Sequence, residues 1–188
     1  MRKIIKAYLI TSPTLYPTTP LEFDTFYKKI LDTHKIDFAC YRDKTLAFNP
    51  KLLEVFLRLN QSYKIPSLIN SNFELGMCFG FDGLHCNASQ MDLILEAKRK
   101  FSLVFFSAHT KEILKKADLL GVNGITISPI FKTPNKGEPL GVEFLNTLKL
   151  EDYKAEIFAL GGIISSQTLS KIATTPIKSF ASIRYFLN

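Results

Sequence analysis

Apolar residues along this chain fall into two alternating rhythms. Short runs such as Ser102-Leu-Val-Phe-Phe-Ser107 are apolar on both faces, the pattern of a strand in a parallel sheet covered by helices. Between such runs, apolar positions are spaced for one face of a helix. The clearest case lies behind Pro50 and carries Leu52, Leu53, Phe56, Leu57 and Leu59, with the proline suited to a first helical turn. The spacing predicts strands near 4–11, 37–42, 65–70, 83–86, 102–107, 124–130, 156–161 and 178–183. It predicts helices near 21–33, 50–63, 73–80, 91–100, 111–120, 141–148 and 166–174. Strict β/α alternation without a domain-sized linker points to an α/β chain forming one closed (β/α)8 TIM barrel over residues 1–188. A Rossmann sheet is disfavoured because no GxGxxG follows the first strand. The last strand runs almost to Asn188, so an eighth helix is expected to be missing. Tyr185-Phe-Leu187 or a partner subunit, as in a homodimer, would then cover the gap.

Composition changes this picture little. Hydrophobic residues make up 46% and charged residues 22%, ordinary globular usage that argues against disorder. No apolar run is long enough to span a bilayer, and Met1-Arg-Lys-Ile-Ile-Lys6 lacks the apolar core of a signal peptide, so no membrane association is expected. The three cysteines, Cys40, Cys78 and Cys86, form no CxxC pair, and a reducing cytoplasm is the simplest setting. A formal charge of +7 suits an anionic ligand. Scattered lysines, with neither a dense basic run nor an aromatic-interleaved RNA motif, point away from nucleic acid.

The candidate chemistry sits at the strand ends. Ser128-Pro-Ile-Phe-Lys-Thr-Pro-Asn-Lys136 begins as a strand and finishes with the hydroxyl, amide and cation of Thr133, Asn135 and Lys136. Ala159-Leu-Gly-Gly-Ile163 follows, where Gly161 and Gly162 let backbone N–H groups approach a ligand before a polar helix start at Ser165 and Ser166. Two such strand ends late in a β/α chain read as a phosphate corner, making a phosphorylated small molecule the expected ligand. On the second strand Cys40, Arg42 and Lys44 alternate, so an extended chain puts all three on one face. The cations could clamp a diphosphate, or instead point to water or pair with Asp43 and Asp37. Asn70 could orient a heterocycle or cap the helix near Asn72. His85, in Asp82-Gly-Leu-His85, and His109, in Ser107-Ala-His-Thr110, are candidates for proton transfer, with Thr110 a candidate N-cap.

In order, the segments Cys40-Tyr-Arg-Asp-Lys44, Ile69-Asn-Ser71, Asp82-Gly-Leu-His85, Ser107-Ala-His-Thr110, Ser128 to Lys136 and Ala159-Leu-Gly-Gly-Ile163 resemble six motifs of one family. These are Q-x-R-x-K, I-N-D, D-G-V-H, S-x-H-[ST], G-P-I-F-x-T-x-T-K and A-I-G-G-I of the thiamine phosphate synthase/TenI family of small (β/α)8 barrels. The resemblance implies that Arg42, Lys44, Asn70 and Lys136 hold a pyrimidine diphosphate and that Thr133 lies near the thiazole and diphosphate. It places the thiazole phosphate against Gly162 and the backbone around Ser182, with Ser107 and Gly161 as further substrate-binding positions. In the synthase branch, a pyrimidine methyl diphosphate loses pyrophosphate and is captured by the nitrogen of a thiazole phosphate.

This chain departs from the family pattern at telling places. Ser71 and Gln90 stand where the synthase has its two Mg²⁺-binding aspartates, and Cys40 stands for the leading Gln. Neither Ser71 nor Gln90 supplies a carboxylate, so no metal ligand and no cofactor is expected unless the Mg²⁺-dependent synthase reading holds. Asp92 and Glu74 are the nearest substitutes in sequence. The TenI-like branch tautomerises a thiazole carboxylate phosphate with a His where this chain has Pro129; His85, His109 or Cys40 would have to replace it. The departures favour a TenI-like, tautomerase-type member. A synthase and a non-catalytic barrel binding thiamine phosphate are the alternatives.

Overall fold

The computed structural model describes residues 6–45, 47–134 and 136–187. The expectations at residues 4 and 5 and at Asn135 lie outside them.

Eight short parallel strands form the frame: β1 (Lys6–Ile10), β2 (Phe38–Tyr41), β3 (Ser67–Asn70), β4 (Gly83–Cys86), β5 (Leu103–Ala108), β6 (Gly124–Ile127), β7 (Glu156–Leu160) and β8 (Ser179–Ser182). Each pairs with the next in chain order, and β8 pairs with β1 to close the barrel. Seven helices fill the connections: α1 (Pro20–Thr33), α2 (Pro50–Tyr63), α3 (Phe73–Phe79), α4 (Ile94–Lys100), α5 (Lys111–Leu119), α6 (Gly141–Asn146) and α7 (Ser166–Ala173).

Side-chain alternation divides the core in two. Inside the barrel, Tyr8, Ile10, Cys40, Leu68, Phe105, Phe158 and Ala181 form one buried cluster. The intervening positions, such as Leu9, Ile69, Phe106 and Ile125, face the helices and join the larger outer core. Tyr8 packs edge-on against Phe105 and Phe158, with ring centroids 5.1 and 5.6 Å away. The barrel is therefore plugged below its mouth by aromatic side chains, as expected for a packed interior.

Polar side chains at the opposite end tie the strands in pairs. Asp37, just before β2, accepts from the Ala7 N–H (2.9 Å). Asp82, before β4, accepts from the Ser67 N–H (2.7 Å), and Asn123, before β6, accepts from the Val104 N–H (2.8 Å). Each satisfies a backbone donor at a strand start that the ladder leaves open.

The expected elements are present with small differences. Asn72, Thr110 and Ser165 each cap the helix that follows, through bonds to the backbone N–H groups of Leu75, Ile113 and Thr168. The helix expected over 91–100 opens instead as a 3₁₀ turn, Ala88–Leu93, before α4. β6 stops at Ile127 rather than reaching 130, because Pro129 has no N–H to continue a ladder. After β8, the 3₁₀ turn Tyr185–Leu187 lays Phe186 on Phe180, with centroids 5.8 Å apart, so the expected aromatic segment covers this strand. Among the described residues, no helix is long and apolar enough to cross a membrane.

Candidate functional site

All eight strands point their C-terminal ends at one rim, and the loops leaving that rim surround a cavity of about 420 Å³. Arg42, Lys44, Asn70, His85, Ser107, His109, Thr133, Lys136 and Gly161 all line it. Residues far apart in sequence thus meet where a parallel barrel places its ligand.

The β2 side supplies two cations. The strand ends at Tyr41, and the Arg42 N–H donates to Thr11 Oγ1 (2.9 Å), which fixes the first residue beyond it. Burial holds the half-buried Arg42 guanidinium below its usual pKa. Lys44, more exposed, is also held below the usual lysine value, mainly by the charge of Arg42, then by partial burial and by Lys136. Three positive groups from two loops therefore feel one another across the mouth. Among the described residues, Asp43 is the one carboxylate lining the cavity. Its Oδ1 accepts from the N–H and hydroxyl of Thr45 (2.8 and 2.6 Å), and its Oδ2 from the Phe48 N–H (3.2 Å). It shapes the β2–α2 loop. Asp37 accepts from the Ala7 N–H at the other end of β1, and pairing of the cations with these acids, the alternative to a clamp, is not formed. Among the described residues, the ion pairs are Lys6–Glu156 and Arg58–Asp24, and neither involves the cavity.

The floor is neutral and hydrogen-bonded. His85 is 2% exposed; its Nδ1 meets Tyr8 Oη (2.8 Å) and its Nε2 meets Ser107 Oγ (2.9 Å). Burial, reinforced by Arg42, pushes its pKa down to about 3, so the ring is uncharged at neutral pH. Asn70 donates from Nδ2 to the His85 carbonyl (3.1 Å), anchoring its amide at the rim. His109 has a different character: its Nδ1 lies 2.8 Å from the Ser128 carbonyl, which can only accept. The proton therefore sits on Nδ1, and in the neutral ring Nε2 keeps its lone pair.

The phosphate corner is built by close backbone approach. Gly161 has φ +98°, and a Cβ there would lie 2.8 Å from Pro129 Cα; Gly162 has φ +68°, and a Cβ would lie 2.6 Å from Phe131 Cβ. Only glycine packs the β7 turn against the β6 loop in this way. Thr133 Oγ1 donates to the Phe131 carbonyl (2.9 Å), and the Lys136 N–H to the Thr133 carbonyl (3.2 Å), which curls the loop back over the mouth.

Three sequence-predicted residues do not line the cavity. Cys40 lies in the barrel interior, fully buried, with its thiol pKa pushed up to about 12 by burial. Gly162 supports the corner from behind. Ser182 Oγ donates to the Ile163 carbonyl (2.7 Å) and accepts from the N–H groups of Arg184 and Tyr185 (3.2 and 3.1 Å), while its neighbour Ile183 lines the cavity. Sequence reasoning also missed Asn87, which lines the cavity and donates from Nδ2 to Ser71 Oγ (3.1 Å). Its signal was present: Asn87-Ala-Ser-Gln90 has the form of a capping box, and the structure forms one.

The resemblance implies Mg²⁺, but the residues present do not fit it. Gln90 donates to the Ser71 carbonyl (2.9 Å) and accepts from the Asn87 N–H (3.1 Å). Both positions are neutral and occupied by each other's hydrogen bonds, whereas Mg²⁺ is held through carboxylates. Asp92 and Glu74 are exposed and outside the cavity lining. Among the described residues, no group of three or more His, Cys, Asp or Glu could hold a metal ion.

A family model described as thiamine monophosphate synthase matches residues 7–186. The thiamine-phosphate synthase of Clostridium acetobutylicum is 27% identical over 192 residues, spanning 97% of this chain and 87% of that protein. A relative from Aquifex aeolicus is 34% identical over 116 residues, and that match spans 60% of this chain and 62% of its own length. Among solved structures, thiamine phosphate pyrophosphorylase from Pyrococcus furiosus superposes with a TM-score of 0.80 at 19% identity, over 97% of this chain and 87% of that one, a likeness of fold. With the order of motifs and the cavity they enclose, the match over nearly the whole length means that the chain belongs to the thiamine phosphate synthase/TenI family.

Proposed function

We propose that this protein joins a pyrimidine methyl diphosphate to a thiazole phosphate and releases pyrophosphate, as a thiamine-phosphate synthase does. The observation carrying this reading is the convergence of Arg42, Lys44 and Lys136 on one mouth beside the Gly161 corner. The relatives named thiamine-phosphate synthase support it over the tautomerase-type reading that the sequence departures favour. The carbon–oxygen bond of the diphosphate breaks with its electron pair going to the departing pyrophosphate. The lone pair of the thiazole nitrogen then forms the new carbon–nitrogen bond. Such ionisation needs stabilisation of charge on the leaving group, which the three cations are placed to give. Asn70, held by the His85 carbonyl, orients the pyrimidine, and Thr133 with the Gly161 turn receives the thiazole phosphate. The neutral, aromatic floor keeps water from the carbocation.

The test is to incubate the purified protein with both substrates and quantify thiamine phosphate by chromatography. The expected result is product well above the uncatalysed control, with Lys136→Gln lowering the rate by about 10²-fold. No product from folded protein overturns the synthase reading. Conversion of a thiazole carboxylate phosphate in parallel would then place the protein in the tautomerase branch, with His109 Nε2 the available proton acceptor. Binding of thiamine phosphate with neither conversion would make it a non-catalytic barrel.

A further inference from the structure

Resting on that reading, we infer that this protein binds its diphosphate without a divalent cation, with Arg42, Lys44 and Lys136 carrying the charge and a neutral hydrogen-bonded staple replacing the metal as the link between two loops. The staple has three members. Asn87 donates to Ser71 Oγ (3.1 Å), while Gln90 bridges the Ser71 carbonyl (2.9 Å) and the Asn87 N–H (3.1 Å). Asn87 Oδ1 is itself taken up by the N–H and hydroxyl of Ser89 (2.9 and 2.7 Å). These bonds join the β3–α3 loop to the 3₁₀ turn after β4, a junction that two carboxylates could otherwise make only with a cation between them. The acceptor oxygens at the junction are neutral and already engaged, so a dication arriving there would have to break the staple and would gain no anionic ligand.

The electrostatics of the rest of the mouth complement this. Among the described residues, Asp43 is the one carboxylate lining the cavity, and it turns both oxygens to its own loop. Against that single acid the mouth carries three cations with no ion pair among the described residues, an excess of positive charge that an entering anion offsets. A diphosphate already complexed with Mg²⁺ would bring less negative charge to this cluster. Mg²⁺ is therefore expected to compete for the ligand rather than to assist it.

The experiment titrates inorganic pyrophosphate into the intact protein by calorimetry, once in EDTA and once with excess Mg²⁺. The expected result is binding in EDTA that Mg²⁺ weakens or leaves unchanged. Lys44→Gln and Lys136→Gln should each lower the metal-free affinity by about 10- to 100-fold, as for loss of a charge-assisted hydrogen bond. Pyrophosphate binding that requires Mg²⁺ would overturn the inference and leave the anion site standing. No binding in either condition, from folded protein, would overturn both. A second variant reads the staple directly. Ser71 sits at φ +62°, a conformation that aspartate adopts more readily than most residues, so Ser71→Asp with Gln90→Asp restores two carboxylates with little backbone strain. That variant should bind pyrophosphate more tightly with Mg²⁺ than without. If it ignores Mg²⁺ as the unmodified chain does, the absence of carboxylates at these positions does not explain metal independence.

Discussion

The charge of Arg42, then partial burial and Lys136, hold Lys44 below the usual lysine pKa, while neighbouring Asp43 bonds to its own loop. An incoming anion relieves that repulsion and raises the lysine's pKa, so binding takes up protons. Pyrophosphate affinity should therefore decline as pH rises through the lowered pKa of Lys44, earlier than for an ordinary lysine. Lys44→Arg, which stays charged, should flatten this alkaline limb in titrations across pH. His85 gives a second pH effect of opposite sense. Its folded pKa of about 3 lies below the ordinary 6.5, so the unfolded chain binds the proton more readily. Its contribution to stability is complete above pH 6.5 and is lost as pH falls toward 3. Thermal melts on the mildly acidic side of 6.5 should show a falling Tm, and His85→Asn should lessen that slope relative to the unmodified chain. Much of the residue-level picture was legible in the chain: Arg42, Lys44, Asn70, Thr133 and Lys136 all reach one cavity. Cys40 was misplaced because alternation tells which face a residue takes and not how deep it lies. Two residues before Arg42 along a strand is about 6.6 Å lower in the barrel, among the aromatic plug. The Ser182 hydroxyl serves the following turn, while the neighbouring Ile183 lines the cavity.

At the scale of elements, local chemistry explains most boundaries. Pro50, Asn72, Thr110 and Ser165 announce their helices in the sequence and cap or begin them in the structure. The ties between elements were not legible, since they join residues distant in sequence. Asp118, near the end of α5, accepts at one oxygen from the N–H groups of Lys154 and Ala155 (2.9 and 2.8 Å), fixing the approach to β7. Asp118→Ala leaves both donors unpaired and should cost about 1–3 kcal/mol in urea unfolding. Because the tie lies before β7, away from the rim, affinity for pyrophosphate should be unchanged. The Gly162 turn should behave differently. A methyl group there meets Phe131 and the Lys132 carbonyl at 2.6 and 2.9 Å in a left-handed backbone conformation. Gly162→Ala should both destabilise the fold, by about 1–3 kcal/mol, and weaken phosphate binding by displacing the β6 loop. Stability measured by denaturation and affinity measured by calorimetry should fall together in this variant, whereas in Asp118→Ala stability alone should fall.

The whole molecule owes its site to closure of the barrel. Chain-order pairing from β1 round to β8 brings residues 42–44, 70–71, 107, 109, 133, 136 and 161 to a single rim. Strict β/α alternation without a domain-sized linker, with no GxGxxG after the first strand, predicts this closure. What periodicity could not reveal is the arrangement of charge around the mouth, with cations from the β2 and β6 loops and a neutral staple joining the β3 and β4 loops between them. This arrangement would be visible in a crystal structure of the protein grown with pyrophosphate in the presence of Mg²⁺. The expected structure shows a diphosphate held by Arg42, Lys44 and Lys136, with Asn87, Ser71 and Gln90 still bonded to one another. A Mg²⁺ ion bridging the diphosphate to carboxylates of this chain, or a diphosphate bound away from these three cations, would contradict it.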